Sequence, residues 1–259
     1  MIKIEGLTVS YTRKSPPVLH DLSCTVPKEK ITVLVGPNGS GKSTLLKTIG
    51  GFLRPQRGSI VLDGKNLGEY KGQERAKKIA FLSQSRRIPE LTVRQLVLRG
   101  RFPYTHFPRA YSTNDYALVE ESLRQMDMAF LGDCKLSELS GGQQQKAWLA
   151  MALAQETPLL ILDEPLTFLD VRQQLELLQL LKELRARGKT ILLVVHDLQM
   201  ALTFADSLIV LSGGSVLAQG QPALLAEDGL IDRAFDIHTK KISLPDGGQV
   251  YTFSSEVVV

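Results

Sequence analysis

The chain has 259 residues, 43% of them hydrophobic and 22% charged, the make-up of a folded globular protein long enough to bury a full core. A modest net charge of +4 gives little support by itself to a nucleic-acid partner. The two cysteines, Cys24 and Cys134, have no CxxC spacing and do not cluster with the four histidines, which argues against zinc and for reduced, buried or half-buried thiols in a cytosolic setting.

The first segment, Ile2–Val9 (IKIEGLTV), alternates apolar and polar residues as a strand does, and lacks the apolar core of a signal peptide. Further short β-branched runs follow at Ile31–Val35, Ser59–Asp63, Ile79–Ser83, Leu159–Asp163, Thr190–His196 and Ser207–Leu211. Several are apolar on both faces, as buried parallel strands are. From Gln84 to about Leu153 the pattern changes to helix-like segments, TVRQLVLRG and YALVEESLRQMDM, without convincing strands. The stretch Val171–Arg187 is an amphipathic helix with Leu177, Leu181 and Leu184 on one face and Gly188 placed to end it. A strand follows at once, so the expected fold is α/β with crossover helices and an inserted helical region. The chain closes on a small hairpin around Asp246-Gly247-Gly248. No apolar run approaches the roughly 20 residues that span a bilayer, so any membrane role comes through a partner.

Two stretches carry chemistry. Gly36-Pro37-Asn38-Gly39-Ser40-Gly41-Lys42-Ser43-Thr44 fits GxxxxGK[ST], with a strand running in and a helix-former, TLLKTI, running out. Glycines let successive N–H groups turn toward phosphate oxygens, Lys42 neutralises the β- and γ-phosphates, and Ser43 offers its hydroxyl to Mg²⁺. In LLILDEP, Asp163 emerges at the carboxyl end of a buried strand, where α/β sheets bind ligands. It suits Mg²⁺ binding through water, and Glu164 is placed to polarise an attacking water. A third stretch, LSGGQQQKAWLAMALAQ from Leu139, also looks like a helix N-terminus open to an anion.

GPNGSGKST, LSGGQ, LLILDEP, the Phe168-Leu169-Asp170 turn and His196 after a buried strand occur in one order. In this the chain resembles the nucleotide-binding subunit of ATP-binding cassette (ABC) transporters over roughly residues 1–222, and LSGGQ is the most diagnostic element. The resemblance implies a phosphate-loop core with a mainly parallel sheet and an antiparallel β portion, residues 1–84 with 155–222. It also implies a helical subdomain at 85–154, with a C-terminal helix and hairpin at 223–259. Tyr11 looks like the residue that stacks on adenine, Gln84 like the glutamine that senses Mg²⁺ and water, and His196 like the switch histidine at the γ-phosphate. Asp170 looks like the acid that touches an opposite subunit.

A helix terminus stabilises an anion by roughly 0.3–2 kcal/mol, too little to hold a triphosphate alone. In the family, LSGGQ of one subunit caps the γ-phosphate held by the other, so Ser140, Gly141, Gly142 and Gln143 would complete the site in trans across a head-to-tail homodimer with two ATP molecules. Lys146, Met151 and Leu166 depart from the common arginine, arginine and threonine of the family.

LTVRQLV and GRFPY resemble importers of iron chelates, haem and cobalamin that work with a permease and a binding protein. That implies a peripheral subunit at the cytoplasmic face of the membrane. Arg86-Arg87 and the charges from Arg99 to Arg109, interleaved with Phe102, Tyr104 and Phe107, are expected to meet the permease. Molybdate, zinc or manganese import, export, and a soluble cassette ATPase are the alternatives; a non-cassette kinase would leave LSGGQ unexplained.

Overall fold

The computed structural model describes the chain except Arg13, Ser85, Arg87 and residues 106–109, 245–248 and 256–259. Its first segment holds β1 (Ile2–Val9), β2 (Leu19–Val26), β3 (Ile31–Val35), α1 (Lys42–Ile49), β4 (Arg57–Leu62) and β5 (Lys65–Asn66). Its middle holds α2 (Gly72–Ala76), β6 (Ile79–Leu82), α3 (Val93–Leu98), α4 (Thr113–Gln125), α5 (Gly141–Ala154), β7 (Leu159–Asp163) and α6 (Val171–Ala186). The last segment holds β8 (Thr190–Val194), α7 (Leu198–Phe204), β9 (Ser207–Ser212), β10 (Ser215–Gly220), α8 (Pro222–Glu227), α9 (Leu230–Phe235), β11 (His238–Ser243) and β12 (Gln249–Ser254). Contacts divide the chain into two compact units, residues 1–69 with 190–259, and residues 70–189.

In the first unit, β1 is buried on one side at Ile2, Ile4, Leu7 and Val9 and pairs antiparallel with β2 and β4, the arrangement one-sided strands allow. β3 is buried at all five positions and runs parallel to both β8 and β9, while β10 returns antiparallel along β9. Leu34, Leu45, Leu46 and Ile49 are fully buried. Each such side chain contributes about 1.5–3 kcal/mol relative to an exposed one. The C-terminal hairpin is present as β11 and β12, framed by the Ser243–Gln249 pair and anchored by buried Tyr251; Asp246-Gly247-Gly248 lies outside the described residues.

In the second unit, β6 and β7 pair in parallel, and α3 and α4 both pack on α5. α5 is therefore apolar on more than one side, with Ala147, Leu149, Ala150, Ala152 and Ala154 buried. Gly100 sits where a Cβ would lie 2.3 Å from the Met151 carbonyl oxygen, so only glycine lets the turn after α3 approach α5 this closely. α6 buries Leu177, Leu181 and Leu184, as its periodicity predicts, and Gly188 follows with φ +84°. The region from Gln84 to α5 contains no strand among the described residues, only a single Thr92–Lys135 bridge.

The expected surface charges of this region need correction. Arg101 is 4% exposed. Its Nε donates to Asp115 at 2.8 Å, its Nη1 donates to the Ala154 carbonyl at 2.7 Å, and its guanidinium lies over the Tyr104 ring. Tyr104 in turn donates its hydroxyl to the Gln155 carbonyl. These groups close the C-terminal end of α5, since the last carbonyls of a helix lack intrahelical partners. Phe102 is exposed, whereas Arg87, Phe107 and Arg109 lie outside the described residues.

Candidate nucleotide site

In the first unit, the register pairs Leu34 of β3 with Val194 of β8. Two residues beyond each pair member stand Gly36, which opens the phosphate loop, and His196, which is exposed just past the strand end. Parallel pairing thus brings the loop and the histidine to the same carboxyl edge, where an α/β sheet binds ligands. A Cβ on Gly36 would sit 2.3 Å from the Leu211 carbonyl oxygen and 2.6 Å from Ser40 Oγ, so the loop closes over β9 only with glycine there. Gly41, at φ 98°, adopts a left-handed conformation as it enters α1 and leaves that helix without a side-chain cap.

Two observations fit a phosphate. The first N–H groups of α1 are not capped by a side chain, and Ser40 Oγ is buried without a hydrogen-bond partner among the described residues. The Lys42 ammonium, itself buried, is folded back over the loop and donates to the carbonyls of Gly36 at 2.7 Å and Pro37 at 3.0 Å. Backbone N–H groups, an ammonium and a hydroxyl converging on one cradle are the donors a polyphosphate takes. Tyr11 is 55% exposed, so its ring is available for stacking, and its hydroxyl shares a hydrogen bond of 3.0 Å with Thr44 Oγ1.

The second unit repeats the register logic. Leu82 of β6 pairs with Leu162 of β7, and two residues beyond each stand Gln84 and Glu164. Gln84 Nε2 donates to Glu164 Oε2 at 2.6 Å. Asp163, the last residue of β7, is 2% exposed, and Glu164 turns out of the strand at φ 53°. Among the described residues, no three His, Cys, Asp or Glu side chains converge on one point as a metal cage. Within this unit the Asp163 carboxylate and the Gln84 amide are oxygen donors of the kind Mg²⁺ takes, since it is commonly bound through one or two carboxylates with the rest of its shell from water and substrate phosphates.

The Ser140–Gln143 turn is a capping box at the start of α5. Gln143 N–H donates to Ser140 Oγ at 3.3 Å, and Ser140 N–H donates to Gln143 Oε1 at 3.0 Å. Ser140 and Gly141 are exposed. A Cβ on Gly142 would meet Gln173 Oε1 at 3.0 Å and the Phe168 carbonyl oxygen at 3.1 Å, so the Phe168-Leu169-Asp170 turn packs tightly behind the second glycine. Asp170 caps α6 by accepting from Gln173 N–H at 2.8 Å. Lys146 pairs with Glu176 at 3.7 Å.

Sequence reasoning missed Gln145, a polar residue that is 3% exposed and whose Nε2 donates to the Pro165 carbonyl at 2.6 Å. Its only signal was its place in the polar stretch Gln143-Gln144-Gln145-Lys146 that leads into the apolar run from Ala147. Arg86, expected among the permease-facing charges, is half-buried on the face of Trp148, where burial pulls its pKa down to about 10.

A family model described as ABC transporter matches residues 19–167. The chain is 40% identical to the achromobactin transport ATP-binding protein CbrD of Dickeya dadantii (strain 3937), over 92% of this chain and 89% of that protein. It is 39% identical to the ferric enterobactin transport ATP-binding protein FepC of Escherichia coli (strain K12), over 94% of this chain and 90% of that one. Among solved structures, a dimeric post-hydrolysis state of an ATP-binding cassette bound to ADP and Pi superposes with a TM-score of 0.76 at 30% identity, covering 86% of this chain and 99% of that one.

Proposed function

The chain belongs to the ABC transporter family, and from that premise we propose that it is the ATP-hydrolysing subunit of a membrane importer of an iron chelate. Near-full-length similarity to proteins named for achromobactin and ferric enterobactin transport supports that cargo class. The observation that carries ATP hydrolysis is the contact between Gln84 and Glu164, a polarising carboxylate held by an amide just past the ends of two parallel strands.

In this reading the phosphate loop and Lys42 bind the β- and γ-phosphates, and Tyr11 stacks on the base. Glu164 polarises the attacking water, with Gln84 and His196 orienting it against the γ-phosphate. Ser43, Gln84 and Asp163 would hold Mg²⁺, which when bound neutralises charge developing on the phosphates. Ser140, Gly141, Gly142 and Gln143, with Asp170 beside them, act on the nucleotide held by a second copy. The exposed helix start at Ser140 and Gly141 supports this, because a helix terminus is too weak an anion site to work alone. ATP then favours a closed head-to-tail dimer, and hydrolysis removes the bridging phosphate and lets it reopen.

The residues 85–154 serve as the permease-facing subdomain, supported by the exposed apolar side chains Ile88, Phe102 and Phe130. No helix among the described residues is long and apolar enough to cross a membrane, which is consistent with a peripheral subunit held by permease partners. Reconstitution with its permease and binding protein in vesicles tests the reading. The parent chain should drive ATP-dependent uptake of a ferric chelate, and the Glu164→Gln chain should not. ATP-driven export, or no chelate movement with active ATP hydrolysis, would overturn import of this cargo.

A further inference from the structure

Arg86 lies two residues beyond Gln84, on the segment leaving β6. Its Nη2 donates to Gln145 Oε1 on the second turn of α5, and its guanidinium lies 5.3 Å from the Trp148 ring centre. Gln145 Nε2 donates to the carbonyl of Pro165, the residue after Glu164. The contacts close a circuit from Gln84 to Glu164, through the peptide bond to Pro165, across Gln145 to Arg86, and back along the chain to Gln84.

The chemistry of each member fixes the direction of the circuit. A guanidinium only donates and a peptide carbonyl only accepts. The Gln145 amide, clamped between them, satisfies both in one orientation, oxygen toward Arg86 and nitrogen toward Pro165. Without Arg86 the amide oxygen is buried beside no donor from that side, and the orientation that holds the Pro165 carbonyl loses its lock. Glu164 needs such a hold, because its left-handed backbone at φ 53° is a conformation that residues with a Cβ adopt rarely and keep only where the surroundings enforce it.

We propose that Arg86 is a positioning residue for ATP hydrolysis, which fixes the Glu164–Pro165 turn through Gln145 and couples the seating of the Ser140–Gln143 turn to the Gln84–Glu164 contact. It acts through Gln145. The same α5 helix carries the Ser140–Gln143 turn at its first residues and Gln145 one turn later. A shift of that turn against a second copy's nucleotide therefore moves the group that holds the Pro165 carbonyl.

This inference rests on the hydrolytic reading above, and the experiment separates the two. Full-length parent, Arg86→Met and Arg86→Lys chains are compared for ATP turnover, ATP affinity and thermal midpoint. Methionine keeps length and packing on Trp148 but donates nothing; lysine keeps a charged donor for Gln145. Arg86→Met should lower kcat by about tenfold, as misplacement of a catalytic group does. Its ATP affinity should stay within about twofold, the mark of an effect on the chemical step, and its thermal midpoint should stay near the parent's. Arg86→Lys should recover most of the loss. Parental turnover in Arg86→Met overturns the inference, as does a loss shared equally by affinity, midpoint and turnover, or a lysine variant no better than methionine. A parent chain that fails to hydrolyse ATP overturns the hydrolytic reading and this inference with it.

Discussion

Gln84 and Glu164 stand two residues beyond the paired Leu82 and Leu162 of neighbouring parallel strands, and the Gln84 amide donates to the Glu164 carboxylate across 2.6 Å. Two residues distant in sequence are thus made neighbours by strand register alone. Replacing Gln84 with alanine leaves the carboxylate in place but removes the group that orients it. Turnover should fall by about tenfold to a hundredfold, as expected for lost orientation, while ATP affinity measured by equilibrium binding stays near the parent's.

Tyr11 presents an exposed ring and ties its hydroxyl to Thr44 at the start of α1. Stacking on a base is worth about 1–3 kcal/mol. Tyr11→Ala should therefore weaken ATP binding by roughly fivefold or more, whereas Tyr11→Phe, which keeps the ring, should bind within a few-fold of the parent. Calorimetric titration with ATP distinguishes the two.

Arg101 and Asp115 form a buried ion pair at the C-terminal end of α5. Burial pushes the Asp115 carboxyl upward, but hydrogen bonds from Arg101 and Ser112 outweigh it and hold the pKa below its ordinary value of 3.8. A depressed folded pKa means that the stabilisation is complete above that ordinary value and is lost as the pH falls through the folded one. Removing one partner by Arg101→Met should cost about 3–5 kcal/mol at neutral pH, because it strands a buried charge. The gap between the Asp115→Asn and parent chains, followed by chemical denaturation, should narrow as the pH falls below 4.

Cys24 is buried, which pushes its pKa up to about 12, while Cys134 is half-buried. The thiolate is the reactive form. An alkylating reagent at neutral pH should modify Cys134 first and reach Cys24 only on unfolding, which peptide mass mapping reads directly.

Much of this was legible in the sequence because it is local. The phosphate loop is nine consecutive residues between a strand and a helix, α6 declares itself by Leu177, Leu181 and Leu184, and the buried strands by unbroken apolar runs. β2 escaped notice because the bulges where it pairs with β1 break the alternation of LHDLSCTV, and β10 because Ser215–Gly220 is half-exposed and short of β-branched residues. The Arg101 charge was misjudged for a different reason. Its partners lie 14 and 53 residues away, and a sequence cannot show that a carboxylate and a helix end will meet it in the interior. The contact between Gln145 and Arg86, 59 residues apart, was invisible on the same ground. Motifs made of neighbours can be found in sequence, whereas clamps made of distant partners require the fold.

The central claim is that ATP joins two copies of this chain, each supplying the Ser140–Gln143 turn to the other's nucleotide. Sedimentation of full-length Glu164→Gln protein with Mg²⁺ tests it most directly. A dimer is expected with ATP, a monomer with ADP, and a monomer with ATP once Ser140→Arg is added, although that double variant still binds the nucleotide. A monomer under every condition, or a dimer indifferent to nucleotide and to Ser140→Arg, would contradict it.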